Sequence, residues 1–447
     1  MSAAWRQALD EGPMSRFQWR AIALCVLLNT LDGFDVLVMS FTGRAVSGQW
    51  SLDSGTLGLL LSSGLAGMAL GALLIAPRAD RIGRRPVILA GLITAAVGMT
   101  ASSASQNWEQ LALLRLLTGV GIGAVLACSN VIAGEFASRR WRGLAVSLNS
   151  TGYAIGATVG GLSSVALIDH HGWRSVFLAG GLGTVLVIPL AYFFLPESLE
   201  FLCTRKPARA LERVNALARR MGHAELTELP EVRDREQAAG FRALLSRGLL
   251  RSTLVLWGAF FLVMAAFYFV TSWTPTLLVE AGMSSSQGLT GGTLLNVGGI
   301  FGTALLGTLA ARFALTGVLR GYLFAAGALV VAFAASTDTL VLAFCLGAVI
   351  GVAVNGCVAG LYALTPAVYS TELRATGVGA AIGVGRVGAI LAPSAAGWLL
   401  DAGATPRALY VSTGVVFAAA GLLLFVMRSR TGTPRFAAPA QPSAVQH

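Results

Sequence analysis

The sequence predicts an all-α integral membrane protein: twelve transmembrane helices in two six-helix bundles related by a parallel repeat. Three observations predict it. Apolar runs of spanning length recur twelve times, arginines gather at every second connection between them, and the second six runs echo the first at a near-constant offset.

A spanning helix needs about 20 mostly apolar residues. Runs of that kind fall at 19–41, 56–76, 87–105, 109–134, 143–167 and 173–195, then at 251–278, 289–311, 318–336, 339–366, 374–400 and 407–427. The bulk composition agrees. Of the 447 residues 55% are hydrophobic and 12% charged, against roughly 25% charged in a soluble domain. The formal charge of +11 could suggest nucleic acid, but the positions of the arginines point elsewhere. Arg6, Arg16 and Arg20, then Arg78 to Arg85, then Arg139 to Arg142, then the 196–250 stretch, all lie on one side of the alternating runs. That is the positive-inside pattern, which puts both termini and the central linker in the cytoplasm. The charge therefore reports topology, and the expected surroundings are a membrane with no nucleic-acid partner. The first eighteen residues are polar and charged, unlike a cleavable signal peptide. The five cysteines form no CxxC pair and read as packed thiols with no metal.

The chain divides into a cytoplasmic segment 1–18, a first bundle 19–195, a linker 196–250, a second bundle 251–427 and a polar, Pro/Ala-rich cytoplasmic tail 428–447 that reads as disordered. The linker shows helical periodicity near 207–221 and reads as lying on the membrane surface. Gly71 to Arg81 aligns with Gly302 to Arg312, Arg142 with Arg374, and Asp169 with Asp401, all 231 or 232 positions apart. Six helices per half leaves both copies in one orientation, and such repeats place a substrate site between the halves near the bilayer midplane. Ala311 stands where the first copy has Asp80.

Gly71-Ala-Leu-Leu-Ile-Ala-Pro-Arg-Ala-Asp80-Arg81-Ile-Gly83-Arg84-Arg85 resembles the cytoplasmic loop signature of the major facilitator superfamily. Arg115-Leu-Leu-Thr-Gly119-Val-Gly121 resembles its fourth-helix motif, and Leu195-Pro-Glu-Ser198 the end of its sixth helix. A narrower resemblance, to the aromatic acid:proton symporter family, rests on Leu31-Asp32-Gly33-Phe34-Asp35. Tyr369 to Gly379 and Gly385-Arg386-Val-Gly388 to Pro393 reinforce it. The resemblance implies a monomeric importer of benzoate-like anions, driven by protons and working by alternating access. No GxxxxGK[ST] run is present, so ATP-driven transport and a nucleotide cofactor are not expected; no cofactor of any kind is.

The residues themselves offer a site. Asp32 lies about 18 Å beyond Arg20 at 1.5 Å per residue, near the middle of the bilayer. Asp35 follows at i+3 on the same face. Carboxylates at that depth are costly and mark function by default, and two of them, desolvated side by side, suit proton uptake. Arg386 lies about 18 Å beyond Arg374. Its planar fork suits a substrate carboxylate, or it serves as counter-ion to the Asp pair, or it bridges helices structurally. Arg115 matches Asp35 in depth, and the resemblance gives it a part in proton coupling; anchoring helix packing is the alternative. Asn355 and Tyr362 are the polar groups expected to line the substrate cavity. Asp80, Arg81, Arg84, Arg85 and Arg142, by resemblance, form a cytoplasmic gate that latches the halves with the start of the eleventh helix at Arg374; Glu135 and Glu372 lie where they could join it.

Three further readings stay open. The fifth-helix run Gly152-Tyr-Ala-Ile-Gly156-Ala157-Thr-Val-Gly160-Gly161 resembles that of drug:proton antiporters, but with Ala157 for the proline, and reads as small-residue packing. It keeps an effluxer in view. A membrane-embedded enzyme or sensor has no metal cluster or nucleophile constellation to support it. The aromatic residues of the seventh helix, Trp257 to Trp273, are expected mostly at the lipid face or the interface belt.

Overall fold

The computed structural model describes residues 9–229, 241–246, 248–336, 339–370 and 373–427; Glu372, the tail 428–447 and linker positions 230–240 lie outside them. Within that range twelve helices are long and apolar enough to cross a membrane. They are α1 Arg16–Trp50, α2 Ser54–Ile82, α3 Arg84–Ser102, α4 Trp108–Phe136, α5 Arg142–His171 and α6 Arg174–Phe194. After the linker come α7 Leu250–Glu280, α8 Ser285–Arg312, α9 Leu315–Ala334, α10 Leu340–Val368, α11 Arg374–Asp401 and α12 Pro406–Val426. Several run a turn or more past their apolar run, and polar residues cap helix starts. Ser15 and Gln18 close a capping box on α1, Asn107 takes the Gln110 N–H on α4, and Thr405 takes that of Ala408 on α12. Each satisfies amide donors that a helix start leaves over.

α2 is not regular throughout. Gly71–Ile75 widens to a π turn and Ala76–Arg78 tightens to a 3₁₀ turn, at Pro77, which cannot donate to the helix ladder.

The repeat is a repeat of contacts. Lipid gives helices no hydrophobic drive to associate, so they rely on close backbone approach through small residues. Gly67 and Gly71 of α2 press on the carbonyls of Leu116 and Val120 of α4; 231 positions later, Gly298 and Gly302 of α8 press on Ala348 and Val352 of α10. Gly156 of α5 rests on the Thr30 carbonyl of α1, and Gly388 of α11 rests on that of Phe261 of α7. The Arg142 Nε–H donates to the Gly134 carbonyl at 3.2 Å, and the Arg374 Nε–H to the Pro366 carbonyl at 3.0 Å. The two bundles are copies at the level of individual bonds.

Packing nonetheless groups the chain differently from sequence. One compact unit holds residues 1–236 with 271–296 and 390–404, the other 237–270, 297–389 and 405–447. The first thus includes the ends of α7, α8 and α11 farthest from the termini. There the Ser40 hydroxyl donates to the Ser272 carbonyl at 2.7 Å, and the Trp273 indole N–H to that of Pro393 at 3.0 Å. The linker begins with helices Leu199–Arg205 and Ala210–Met221, whose Leu199, Leu202, Val214 and Ala218 are buried in the first unit's core.

The aromatic residues of α7 overturn their expectation. Phe260 and Trp273 are fully buried, and Phe267 and Tyr268 nearly so. Rings of α7 pack on neighbouring helices: Phe260 meets Tyr362 edge-on, and Phe269 meets Tyr410, while Trp257 and Phe261 stay half-buried. The α5 glycines pack as read, Gly152 and Gly156 against α1. Replacing Gly156 by Leu is predicted to cost at least about 1–3 kcal/mol through overpacking against the α1 backbone. Gly307→Leu, where the added side chain meets open space, serves as the control. Folded yield and melting temperature in detergent check it; equal loss in both would refute it.

Candidate functional site

α1 carries its two carboxylates into the bundle because its other faces are taken. Gly33 lies directly on the Tyr153 backbone of α5, and the Asn29 amide reaches the Asn149 carbonyl there. Asp35 is thereby turned towards α4. Its Oδ1 accepts from Arg115 Nη1 at 2.7 Å, and both residues are buried, 7% and 2% exposed. The guanidinium is further fixed by Nη2–H donation to the Thr118 hydroxyl at 2.8 Å, and its plane lies 5.0 Å from the Phe177 ring centre. The pair is electrically neutral in a dry setting, where one charge without the other costs about 3–5 kcal/mol. Asp32 is 3% exposed. The sequence sets the two acids together as like charges; the structure gives Asp35 an opposite charge of its own. A cavity of about 170 Å³ reaches Asp35, walled by Thr30, Phe34, Met99, Thr118 and Gly180 among others.

The second-half residues belong to the other unit. Arg386 is half-buried on α11. Gly385 beside it packs on Phe260 and Met264 of α7, and Tyr362 of α10 meets the same Phe260 edge-on at 5.6 Å between centres. Phe260 therefore connects Tyr362 to the helix turn that carries Arg386. It was readable in the sequence only as one aromatic among many. Asn355, two turns from Tyr362, donates back to the Gly351 carbonyl at 3.0 Å and covers Gly299 of α8.

At the end of the first unit nearest the termini, the hub is Arg84. Its guanidinium bonds the Glu135 carboxylate and the Ser198 hydroxyl, with Glu200 at 3.7 Å and Asp80 at 3.6 Å. Glu197 Oε1 accepts the backbone N–H groups of Arg84 at 2.8 Å and Arg85 at 3.2 Å, an acid at a helix N-terminus where the dipole favours it. Arg85 reaches the Tyr192 carbonyl. Asp80 is 68% exposed and Arg81 is exposed too. Arg142, which the sequence groups with Asp80, pairs with Asp10 at 2.5 Å. Glu197, Ser198 and Asp10 were missed as site residues. Glu197 and Ser198 stood in a quoted motif, and a search for acids flanking the arginine-rich loop would have raised them; nothing local marks Asp10.

Comparisons with known proteins follow the same lines. Residues 22–393 match the sequence model of the Major Facilitator Superfamily. The gallate transporter of Pseudomonas putida is 34% identical over 441 residues, spanning 96% of this chain and 97% of that protein. The 4-hydroxybenzoate transporter of Acinetobacter baylyi is 32% identical over 86% of this chain and 85% of its own. Among solved structures, the xylose transporter of E. coli in a partially occluded inward-open conformation superposes with a TM-score of 0.73 at 17% identity, over 92% of this chain and 98% of that one.

The buried pair makes a clear prediction. Arg115→Gln should destabilise the chain by about 3–5 kcal/mol because Asp35 is left charged in the core. Adding Asp35→Asn should recover about 0.5–3 kcal/mol of that. Thermal denaturation of the two single variants and the double variant checks it; strict additivity would show that the pair is not coupled.

Proposed function

We propose that this chain, which belongs to the Major Facilitator Superfamily, is a proton-coupled symporter that imports an aromatic carboxylate by alternating access across a bacterial inner membrane. The observation that carries the reading is the set of buried ionisable residues Asp32 and Asp35, midway along α1, and Arg115, two turns into α4. Such groups persist in lipid where protons or ions must pass. Relatives named for gallate and 4-hydroxybenzoate transport, alike over most of the chain, support a ring-bearing anion as cargo.

The proposed cycle assigns a role to each group. Facing outward, the Asp32/Asp35 set takes up a proton and the substrate carboxylate docks on Arg386, whose planar fork donates two parallel hydrogen bonds. Tyr362, backed by the buried Phe260, offers the ring an aromatic edge, and Asn355 a polar wall. Loading both neutralises the buried charge, which lowers the cost of occlusion. The Arg84 cluster, with Asp80, Arg81, Arg85, Arg142, Glu135, Glu372 and Arg374, gates the cytoplasmic side. Both termini face the cytoplasm, since arginine-rich connections stay inside. The protein acts as a monomer and leaves its cargo chemically unchanged. An antiporter reading rested on the α5 glycines, and their packing on α1 accounts for them without it.

The test is uptake of radiolabelled aromatic acids into proteoliposomes under an imposed inward proton gradient, wild type against Asp32→Asn. Accumulation that follows the gradient and falls by about tenfold or more in the variant is expected, because a carboxyl that cannot exchange its proton cannot couple. Faster loss of preloaded acid under the same gradient would replace symport by antiport.

A further inference from the structure

The first turn of α2 is closed by two carboxylates from opposite ends of the sequence. A helix start leaves four amide donors without intrahelical acceptors or at the edge of having them. Here each is accounted for. The Thr56 N–H donates to Asp53 Oδ1 at 2.8 Å, and the Leu57 N–H to the Asp53 carbonyl at 3.1 Å. The Ser54 N–H donates to Asp401 Oδ1 at 2.9 Å, and the Gly55 N–H to Asp401 Oδ2 at 2.7 Å. The contact is made to fit. A Cβ on Gly55 would lie 2.7 Å from both Asp401 Oδ2 and Trp398 Cδ1, and one on Gly58 would lie 2.6 Å from the Pro393 carbonyl oxygen. Two turns further in, the Ser394 hydroxyl donates to that of Ser62 at 2.8 Å.

Asp401 gains from this contact and from little else. It is the last residue of α11, where the helix dipole disfavours an anion, whereas the start of α2 favours one. The Thr56 hydrogen bond holds the neighbouring Asp53 carboxyl below its ordinary range, so Asp401 joins a second anion there and is held by bonds to the amides. The pseudo-symmetric position behaves otherwise. Asp169 at the end of α5 is exposed, as Asp401 is, but the first turn of α8 is closed by its own Ser284 and Gln287. The bond is thus particular to Asp401 and not a by-product of the repeat.

We propose that Asp401 is a positioning residue for transport: its carboxylate, bridging the first two amides of α2, latches α11 to α2 at the outer end and holds the pathway shut on that side. The inference rests on the transport reading above for its purpose, but its test needs no substrate. When the latch releases, Asp401 and the two amides pass to water, which can solvate both. The outer end therefore has two satisfied arrangements, separated by a few hydrogen bonds. A carboxylate accepting backbone amides is strong enough to bias such a switch and weak enough to be reversed.

The experiment places a reporter behind the latch. Ser62→Cys is introduced in the full-length chain, and intact cells are exposed to a membrane-impermeant maleimide from outside. Asp401→Ala should raise the labelling rate at position 62 by about tenfold, the bias expected from losing charge-assisted hydrogen bonds. Gly55→Ala, which keeps the charge but obstructs the approach, should move it the same way, and Asp401→Asn by less. The melting temperature of each variant in detergent reports unfolding. A rise at position 62 with an unchanged melting temperature supports the latch. No change at position 62 overturns it, and so does a rise that comes only with a lowered melting temperature, since Asp401 would then hold the fold and not a state. If labelling shifts as expected while no aromatic acid is accumulated by any variant, the latch stands and the substrate reading fails.

Discussion

Everything in this molecule depends on helix backbones being brought together where no water can drive them together. In lipid the gain must come from contact itself, and contact is best where a glycine lets one helix lie on the carbonyls of another. Gly67 and Gly71 do this for α2 on α4, and Gly298 and Gly302 for α8 on α10. Gly156 and Gly388 do it for the α1–α5 and α7–α11 pairs. A side chain at any of these would have to displace a backbone, not a flexible neighbour. The spacing of glycines therefore fixes which helices can be nearest, and both bundles follow from it.

Symmetry of backbone is combined with asymmetry of charge. The position 231 beyond Asp35 is Ala266, the one 232 beyond Arg115 is Gly347, and the one 232 before Arg386 is Ala154. The acids and their partner Arg115 lie in one copy, and the cation suited to a carboxylate lies in the other. A duplicated scaffold gives two helix sets able to move alike. Unlike charges therefore stand on the two sets although their backbones repeat.

Much of this was legible in the sequence because lipid simplifies the code. Twelve apolar runs mark twelve helices, since a spanning segment has to be apolar and satisfied internally, though α1 and α2 run on well past theirs. Buried Asp32, Asp35 and Arg115 stand out for the same reason. What stayed hidden were partnerships across large separations. Asp35 was read beside Asp32, at i+3, while its partner Arg115 lies 80 residues away. Arg142 was read with Asp80, but the residue it meets is Asp10, 132 residues distant. The α7 rings looked like lipid-facing belt residues because hydropathy alone does not distinguish a buried aromatic from a lipid-exposed one. Phe260 shows the difference only once Tyr362 and Gly385 are beside it.

The two ends of the first unit close by different chemistry, and the difference has a physical sense. Near the termini a guanidinium, Arg84, gathers acids and a hydroxyl around itself. Among those contacts, removing one leaves others, so the cluster is robust to the loss of any single partner. At the far end Asp401 meets backbone amides, backed by single hydroxyl and indole bonds to carbonyls. Backbone donors cannot rotate away or change charge, so such a contact exists only when two helices are in register and vanishes once they separate. A fixed-geometry contact of that kind reports position sharply, whereas a flexible charged cluster tolerates displacement.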